Sequence, residues 1–515
     1  MVFTKEEVAK HNTVDDCWII IKDQVYDVTQ FLKKHPGGKR VIVRWAGKDA
    51  TKVFQSIHAA HLLQTMAKEY SIGNLKLTLS NTRVSEKQKK AMAHRFGDQI
   101  PFGDPGWYQG LKNPFYKETH IRFRAKVRKF VDEELRPYAE EWAEQHDYPK
   151  ELHQKAYKAG IYAAMWPEEY GGTPLEGGMD QFHEVVLLDE LGRANNGGLL
   201  ASFFFTLGIG LPPLLYHGSR YLREKYCKDL IQGKKIVALA ITEPYAGSDV
   251  AQLQTTATKI TENGKEYYLI NGEKKFITSG LKADYYTLAA RTGGNGMFGI
   301  SLLFVDTSLP GITKRRLKTQ GWWSSNTAYL TFENVKIPVD HLIGEENKGF
   351  LYVMHNFNTE RFGGCVLANR EARTCIEESI AYARVRKTFG KRLIDHQAIR
   401  HKIAEMTRKV ESNQAYIDML AYQMQMQKEE QSSGKEVKAI SNRVLSSHIA
   451  LCKVNTSKIL EFCAREASQI FGGASYLRTG PGATVERIYR RVRVMAIGGG
   501  SEEILRDLAM RQAKL

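Results

Sequence analysis

Hydrophobic periodicity switches twice along the 515-residue chain, and this alternation limits the possible folds more than any other feature. From 115 to 235 apolar residues recur at helical spacing, as in Phe123, Val127, Phe130 and Val131 ahead of Pro137. From 236 to 345 the apolar runs are short and strand-like: Ile236-Val237-Ala238-Leu239-Ala240-Ile241, Tyr267-Tyr268-Leu269-Ile270 and Leu302-Leu303-Phe304-Val305. Asn263-Gly264 and Asn271-Gly272 read as hairpin turns between strands. Helical patterns return from 346 to 515. A β domain between two helical domains is therefore predicted. A small α+β module at 1–78 precedes them, joined by a polar, basic linker at 79–114. Within the module, Trp18-Ile19-Ile20-Ile21 and Val25-Tyr26-Asp27-Val28 predict a hairpin.

Composition narrows the class. With 43% hydrophobic and 25% charged residues the chain is globular, neither disordered nor collagen-like. A net charge of +17 favours anionic partners such as nucleotides and phosphates. Six cysteines without a C-x-x-C pair argue against a disulfide scaffold or a zinc module. Glu6, Glu7, Asp15 and Asp16 are residues that a mitochondrial transit peptide avoids. Residues 194–216 carry no charge, but Pro212-Pro213 and several glycines interrupt them, so a buried core helix is expected rather than a membrane span.

In the module, His35-Pro36-Gly37-Gly38 sets a histidine in a tight glycine turn. A second histidine would complete a two-sided metal grip, and His58 and His61 are the candidates. The string Trp45-Ala46-Gly47-Lys48-Asp49-Ala50-Thr51, then Phe54 and His58, resembles the second haem-binding half of a cytochrome b5. The resemblance covers about 3–78 and includes Tyr70-Ser71-Ile72-Gly73-Asn74-Leu75. It implies haem b held by His35 and His58, with His61 the alternative to His58. Two neutral imidazoles saturate the iron, which suits electron transfer. Unlike free b5 shuttles with acidic faces, this module is basic, which favours an intramolecular partner.

Five further motifs follow in order. They are Ile241-Thr242-Glu243-Pro244-Tyr245-Ala246-Gly247-Ser248-Asp249, Lys275-Phe276-Ile277-Thr278-Ser279-Gly280, Arg386-Lys387-Thr388-Phe389-Gly390 with Gln397, Gln469-Ile470-Phe471-Gly472-Gly473, and Gly498-Gly499-Gly500-Ser501-Glu502-Glu503. The third is read as part of a helical stretch. The set resembles the acyl-CoA dehydrogenase family from about 115 to 515. That resemblance implies a helical domain, a β-barrel-like middle domain and a C-terminal four-helix bundle with FAD between them.

By the same resemblance Ile241, Thr242, Ser248, Phe276, Ile277 and Thr278 contact FAD, Thr242 near N5. Phe276 stands where the family usually has tryptophan. Arg386, Phe389, Gln397, Gln469, Gly472 and Gly473 hold the adenine half in a neighbouring subunit, implying a homodimer or homotetramer. Ser501 and Glu503 are further FAD positions. Ser248, Arg361, Gly499 and Gly500 fall on the substrate side.

Removing a thioester α proton requires a desolvated base and a polarised carbonyl. Many family members carry the catalytic glutamate where this chain has Gly499. In the branch with the isovaleryl and long-chain enzymes it lies on an earlier helix, and Phe357-Asn358-Thr359-Glu360-Arg361-Phe362 matches that site. Glu360 is thus the expected base, and the Gly499 N–H the expected carbonyl donor.

The expected reaction is oxidation of an acyl-CoA to the trans-2-enoyl-CoA, with electron transfer from FAD to the fused haem. The alternatives are an oxygen-using acyl-CoA oxidase and a non-enzymatic haem/flavin carrier. The acceptor is left open among the internal haem, electron-transfer flavoprotein and oxygen. Neither nucleic acid nor stable membrane insertion is expected. Ala513-Lys514-Leu515 resembles a peroxisomal address, with cytoplasmic or mitochondrial location the alternative.

Overall fold

A computed structural model describes the chain except residues 52, 55–57, 59, 64–67, 76–95, 434–440, 514 and 515. The side chains of Ala60, His61, Lys68, His355 and residues 431–433 also lie outside the described set. Two of the three residues in the Ala513-Lys514-Leu515 address are therefore outside it, as is the first half of the 79–114 linker.

The chain forms two compact units. One contains 1–113, 373–408 and 463–489, and the other 114–372, 409–462 and 490–515. In the first, strands β1 (Val2–Phe3), β2 (Trp18–Ile21), β3 (Gln24–Asp27) and β4 (Ser71–Leu75) form a sheet in the order β1-β4-β3-β2. The expected β2–β3 hairpin is present, with Lys22 at φ 58 in its tight turn. Ile19, Ile21, Tyr26, Val28, Leu32, Ala46 and Ala50 form its core, and Phe31, Phe54 and Tyr70 pack on its rim. Part of the proposed linker is packed, because Asp104 and Tyr108 are buried and Arg373 Nη1 donates to the Phe102 carbonyl at 3.2 Å. Those residues are anchored to the helix Gly349–Val385 and do not serve as a free spacer.

In the second unit an eight-stranded sheet follows the order β10-β11-β7-β6-β8-β9-β12, with β5 pairing in parallel to β8. These strands are β5 (Val237–Ala240), β6 (Thr256–Glu262), β7 (Lys265–Ile277), β8 (Tyr285–Arg291), β9 (Ile300–Asp306), β10 (Ile312–Arg316), β11 (Ala328–Pro338) and β12 (Leu342–Ile343). Tyr268, Tyr286, Leu288, Leu330, Phe332 and Ile337 fill its core. Asn263-Gly264 makes the expected β6–β7 turn, with both residues at positive φ. Asn271-Gly272 does not turn the chain, because β7 runs straight through it. Gly272 takes φ 145 and brings its backbone against Thr255, where a Cβ would lie 2.6 Å from Oγ1. The register of β11 against β7 shifts beside it, between Phe332 and Val335.

The uncharged segment forms helices Gly197–Leu200 and Thr206–His217, joined by a π turn at Ala201–Phe205. Asn196 caps its start by accepting from the Leu199 N–H at 3.0 Å. In its most apolar stretch 83% of residues are buried inside the protein, as a core helix requires. Pro212 and Pro213 lie inside this helix instead of breaking it. Pro212 has no N–H to offer the Gly208 carbonyl four residues back. Asn356 Nδ2, on Gly349–Val385, donates to that carbonyl at 3.2 Å and satisfies it. The long helices Gly349–Val385, Gln397–Ser433 and Asn442–Phe471, then the shorter Ala483–Tyr489, Val492–Ile497 and Glu502–Gln512, complete the C-terminal part.

Gly272→Ala should destabilise the β domain by roughly 1–3 kcal/mol, the cost of an L-residue held in disallowed backbone space plus its clash with Thr255. Chemical denaturation checks this, and an unchanged midpoint would refute the bulge's role.

Candidate active site and haem-binding pair

The loop after β5 is fixed from behind. The Lys275 N–H donates to the Thr242 carbonyl at 2.8 Å. Lys274 is fully buried, and its Nζ donates to the Ile241 carbonyl at 3.0 Å and to Glu243 Oε1 at 2.8 Å. Glu243 also accepts from the Thr255 N–H at 2.9 Å. Burial pushes the Lys274 ammonium down to about 8. Burial also works against the Glu243 carboxylate, but Lys274 and the backbone donors hold its pKa below the usual range. Ile241 is buried, Thr242 is half-buried and Ser248 is exposed in the same loop.

Phe276 closes β7 in the left-handed region at φ 63 and is 59% exposed. Ile277 is buried, Thr278 is half-buried, and Ser279 is again left-handed at φ 58. Ser279 Oγ lies 3.0 Å from Thr206 Oγ1 and bonds Ser202, which ties this strained turn to the core helix. An exposed aromatic ring held in strained backbone beside Thr242 suits the flat ring of FAD.

Glu360 and Arg361 lie on Gly349–Val385, and both are half-buried. Arg361 Nε donates to the Gly499 carbonyl at 3.0 Å. A Cβ on Gly499 would lie 3.9 Å from Glu360 Oε1. The structure therefore brings Glu360, Arg361, Gly499 and Gly500 together. Burial raises the Glu360 pKa, while Arg361 and Lys453 oppose the shift. Gly499 and Gly500 have φ 69 and 104, a left-handed backbone that favours glycine at both positions. Ser501 caps Glu502–Gln512, and Glu503 is exposed. The sequence reading missed Lys274, Glu243 and Lys453. The signal for Lys453 was a lysine between apolar residues in Ala450-Leu451-Cys452-Lys453-Val454.

The residues expected at adenine lie in the first unit. Arg386 is not helical. It follows the end of Gly349–Val385 and leads into a hairpin of β13 (Lys387–Thr388) and β14 (Lys391–Arg392). Phe389 and Gly390, at φ 49 and 79, make the turn that overrides helix propensity. Phe389 is 97% exposed. Gln397 opens Gln397–Ser433 and is exposed. Gln469, Gly472 and Gly473 are exposed around the end of Asn442–Phe471.

His120, Asp180 and His183 form a compact group held together by hydrogen bonds to Asp180 Oδ1. His120 Nδ1 accepts from the Lys117 N–H at 2.8 Å, which leaves Nε2–H to donate to Asp180. This arrangement is a helix-capping latch at the start of the helix Gln181–Gly192.

In the N-terminal module the ring centres of His35 and His58 are 5.9 Å apart. Two metal–imidazole bonds of about 2 Å each would set them roughly 6 Å apart, so the pair fits one iron between them. The His35 ring folds over Gly37, where a Cβ would lie 2.9 Å from Cε1. His35 Nδ1 lies 3.3 Å from the Gly38 carbonyl, which favours the tautomer with Nε2 free to ligate. Burial, and then His35, lower the pKa of His58 and keep it neutral. The His58 N–H donates to the Phe54 carbonyl at 2.8 Å, and the Phe54 ring packs 4.8 Å away. His58→Ala should abolish the low-spin bis-histidine haem spectrum and His61→Ala should leave it. Loss of that spectrum in His61→Ala alone would reassign the ligand.

Four family models match in order: cytochrome b5-like haem/steroid binding domain at 4–76, and acyl-CoA dehydrogenase N-terminal, middle and C-terminal domains at 117–234, 238–335 and 347–514. The chain is 37% identical to acyl-CoA dehydrogenase apdG of Emericella nidulans, covering 80% of this chain and 95% of that one. It is 32% identical to the mitochondrial long-chain specific acyl-CoA dehydrogenase of Rattus norvegicus, covering 78% and 88%. A putative acyl-CoA dehydrogenase from Mycobacterium smegmatis superposes with TM-score 0.70 at 37% identity, over 78% of this chain and 99% of that one. Butyryl-CoA dehydrogenase of Megasphaera elsdenii superposes with TM-score 0.68 at 28% identity, over 78% and 100%. The chain belongs to the acyl-CoA dehydrogenase family, whose members bind FAD, and carries a cytochrome b5-like haem-binding domain at its N-terminal end.

Proposed function

We propose that the protein oxidises an acyl-CoA to the trans-2-enoyl-CoA with Glu360 as base, and passes the electrons to its own haem-binding module. The observation that carries this reading is the half-buried Glu360 carboxylate beside the Gly499–Gly500 turn. FAD, when bound, supplies the hydride acceptor. The chain's own residues do the rest. Glu360 takes the α proton, and its raised proton affinity matches it better to a weak carbon acid. Arg361 holds the Gly499 carbonyl, which fixes the turn whose N–H groups are the candidate donors to the thioester oxygen. Phe276 and the loop at 241–242 set the plane against which the substrate lies.

A covalent tether supports the electron route, because it raises the local concentration of the His35/His58 module around the flavin domain. A homo-oligomer belongs to the same reading, and support comes from Phe389 and Tyr476, 97% and 90% exposed and available to a second copy.

Anaerobic addition of acyl-CoAs of graded length should bleach the flavin absorbance and then produce reduced-haem bands. Reduced flavin with haem still oxidised would refute the internal route. Rapid flavin recovery only on admitting oxygen would favour the oxidase, and no bleaching by any acyl-CoA would favour a non-enzymatic carrier. Glu360→Gln should retain flavin yet slow its reduction by about 10²–10⁴-fold. In the unaltered protein the rate should climb with pH through the raised Glu360 pKa, since only the ionised carboxylate accepts a proton. Near-normal flavin reduction in Glu360→Gln would remove Glu360 from the mechanism.

A further inference from the structure

Lys453 is only 5% exposed on Asn442–Phe471, between the buried residues Cys452 and Val454. A buried ammonium is costly unless its donors are used. Its Nζ donates to the Gly500 carbonyl at 2.8 Å. One peptide earlier, Arg361 Nε donates to the Gly499 carbonyl at 3.0 Å. Two cations from two different helices thus fix adjacent carbonyls of a turn in which both residues sit at positive φ. Such a turn has broad backbone freedom and needs outside restraint to hold one shape.

The ionisable groups facing Lys453 come from two other elements. Glu360, Arg361 and Cys365 lie on Gly349–Val385, and Glu502 opens Glu502–Gln512. Glu502 is shared, accepting from Ser457 Oγ at 2.6 Å and lying 3.5 Å from Lys458 and 3.3 Å from Arg506. Cys365 is a buried thiol whose pKa burial raises well above the usual value, so it is neutral. The charged groups that act on Glu360 are Arg361 and Lys453.

We propose that Lys453 is a positioning residue for α-proton abstraction, pinning the Gly499–Gly500 turn and setting a buried cation next to the turn that Glu360 lies against. The proposal rests on Glu360 being the base. Its physical logic is a compromise. Burial raises the proton affinity of the Glu360 carboxyl, which suits a base for a weak carbon acid, and nearby cations oppose that rise. A buried, fixed cation supplies part of that opposition without admitting water. When the proton moves from the substrate α carbon to Glu360, the carboxylate charge is lost. Lys453 keeps its bond to Gly500, so the turn does not shift. Burial brings the Lys453 ammonium down to about 8, which leaves it charged at neutral pH.

The test uses the full FAD-loaded chain with Lys453→Met, Lys453→Gln and Lys453→Arg. Anaerobic flavin bleaching by a saturated straight-chain acyl-CoA is followed between about pH 5 and 9. The Glu360 carboxyl is titrated independently by infrared difference spectroscopy, its band assigned by its absence in Glu360→Gln. Loss of the cation should raise the Glu360 midpoint by about one pH unit or more in the Met and Gln variants, and move the rising limb of the rate with it. Lys453→Arg should restore the unaltered midpoint. An infrared midpoint unmoved in Lys453→Gln or Lys453→Met, or moved as far in Lys453→Arg, overturns the proposal. If Lys453→Met does not fold, Lys453→Gln, which keeps a donor without the charge, decides the matter. If Glu360→Gln bleaches at the normal rate, the base assignment fails instead, and the two failures are distinct.

Discussion

The Gly499–Gly500 turn and the Glu360 carboxylate are immediate neighbours. A Cβ on Gly499 would lie 3.9 Å from Glu360 Oε1, in ordinary van der Waals contact. The candidate active-site side of this protein is organised around that contact. Glycine at 499 leaves the space, glycine at 500 lets the turn bend, and Arg361 and Lys453 supply the restraint that side chains on the turn would otherwise provide. Glu360, the proposed base, then sits on a long, continuous helix, which positions a side chain more firmly than a loop does.

A second buried cation does comparable work on the flavin side. Lys274 and Glu243 form a pair sealed from solvent, and Lys274 also reaches the Ile241 carbonyl. Such a pair adds little net stability over an apolar core, but removing one partner leaves the other charge stranded, at about 3–5 kcal/mol. Geometry is what it secures. The loop at 241–242 and the strained Phe276–Ser279 turn are held from behind, the latter through Ser202 and Thr206. The proline pair at 212 and 213 serves a related end, since the carbonyl freed at Gly208 becomes the acceptor that registers the core helix against the helix Gly349–Val385 through Asn356.

The N-terminal module follows a different rule. Its two histidines come from segments 23 residues apart and are held by packing instead of a shared helix. Gly37 allows His35 to fold over the backbone, and Phe54 backs His58 one helical turn away. Both rings face one space, the arrangement that would saturate a haem iron and leave no position for oxygen.

Much of this was legible in the primary sequence. The change of period from helix to strand and back located the β domain, because apolar spacing follows directly from which face of an element is buried. The order of the glycine and hydroxyl motifs, together with the missing acid at 499 and the glutamate at 360, pointed to the base. Local signals misled where tertiary contacts outvoted them. Asn271-Gly272 reads as a turn but is a close approach to Thr255 within one strand, and Arg386 reads as helical but precedes a two-residue turn at Phe389-Gly390. Pro212-Pro213 reads as a break, yet the helix persists because a neighbouring asparagine satisfies the freed carbonyl. The apolar flanks of Lys453 hinted at burial, but which groups Lys453 and Lys274 hold could not be read. A lysine's residue type and spacing are the same whether it is solvated or buried, and only the folded chain decides which carbonyl or carboxylate its ammonium meets. The sequence by itself determined the chemistry available, namely two imidazoles, one displaced carboxylate and a flavin-type set of loops. Tertiary structure decided the electrostatic setting of that carboxylate, because desolvation and through-space charge depend on residues nearly a hundred positions apart in the chain, as Glu360 and Lys453 are.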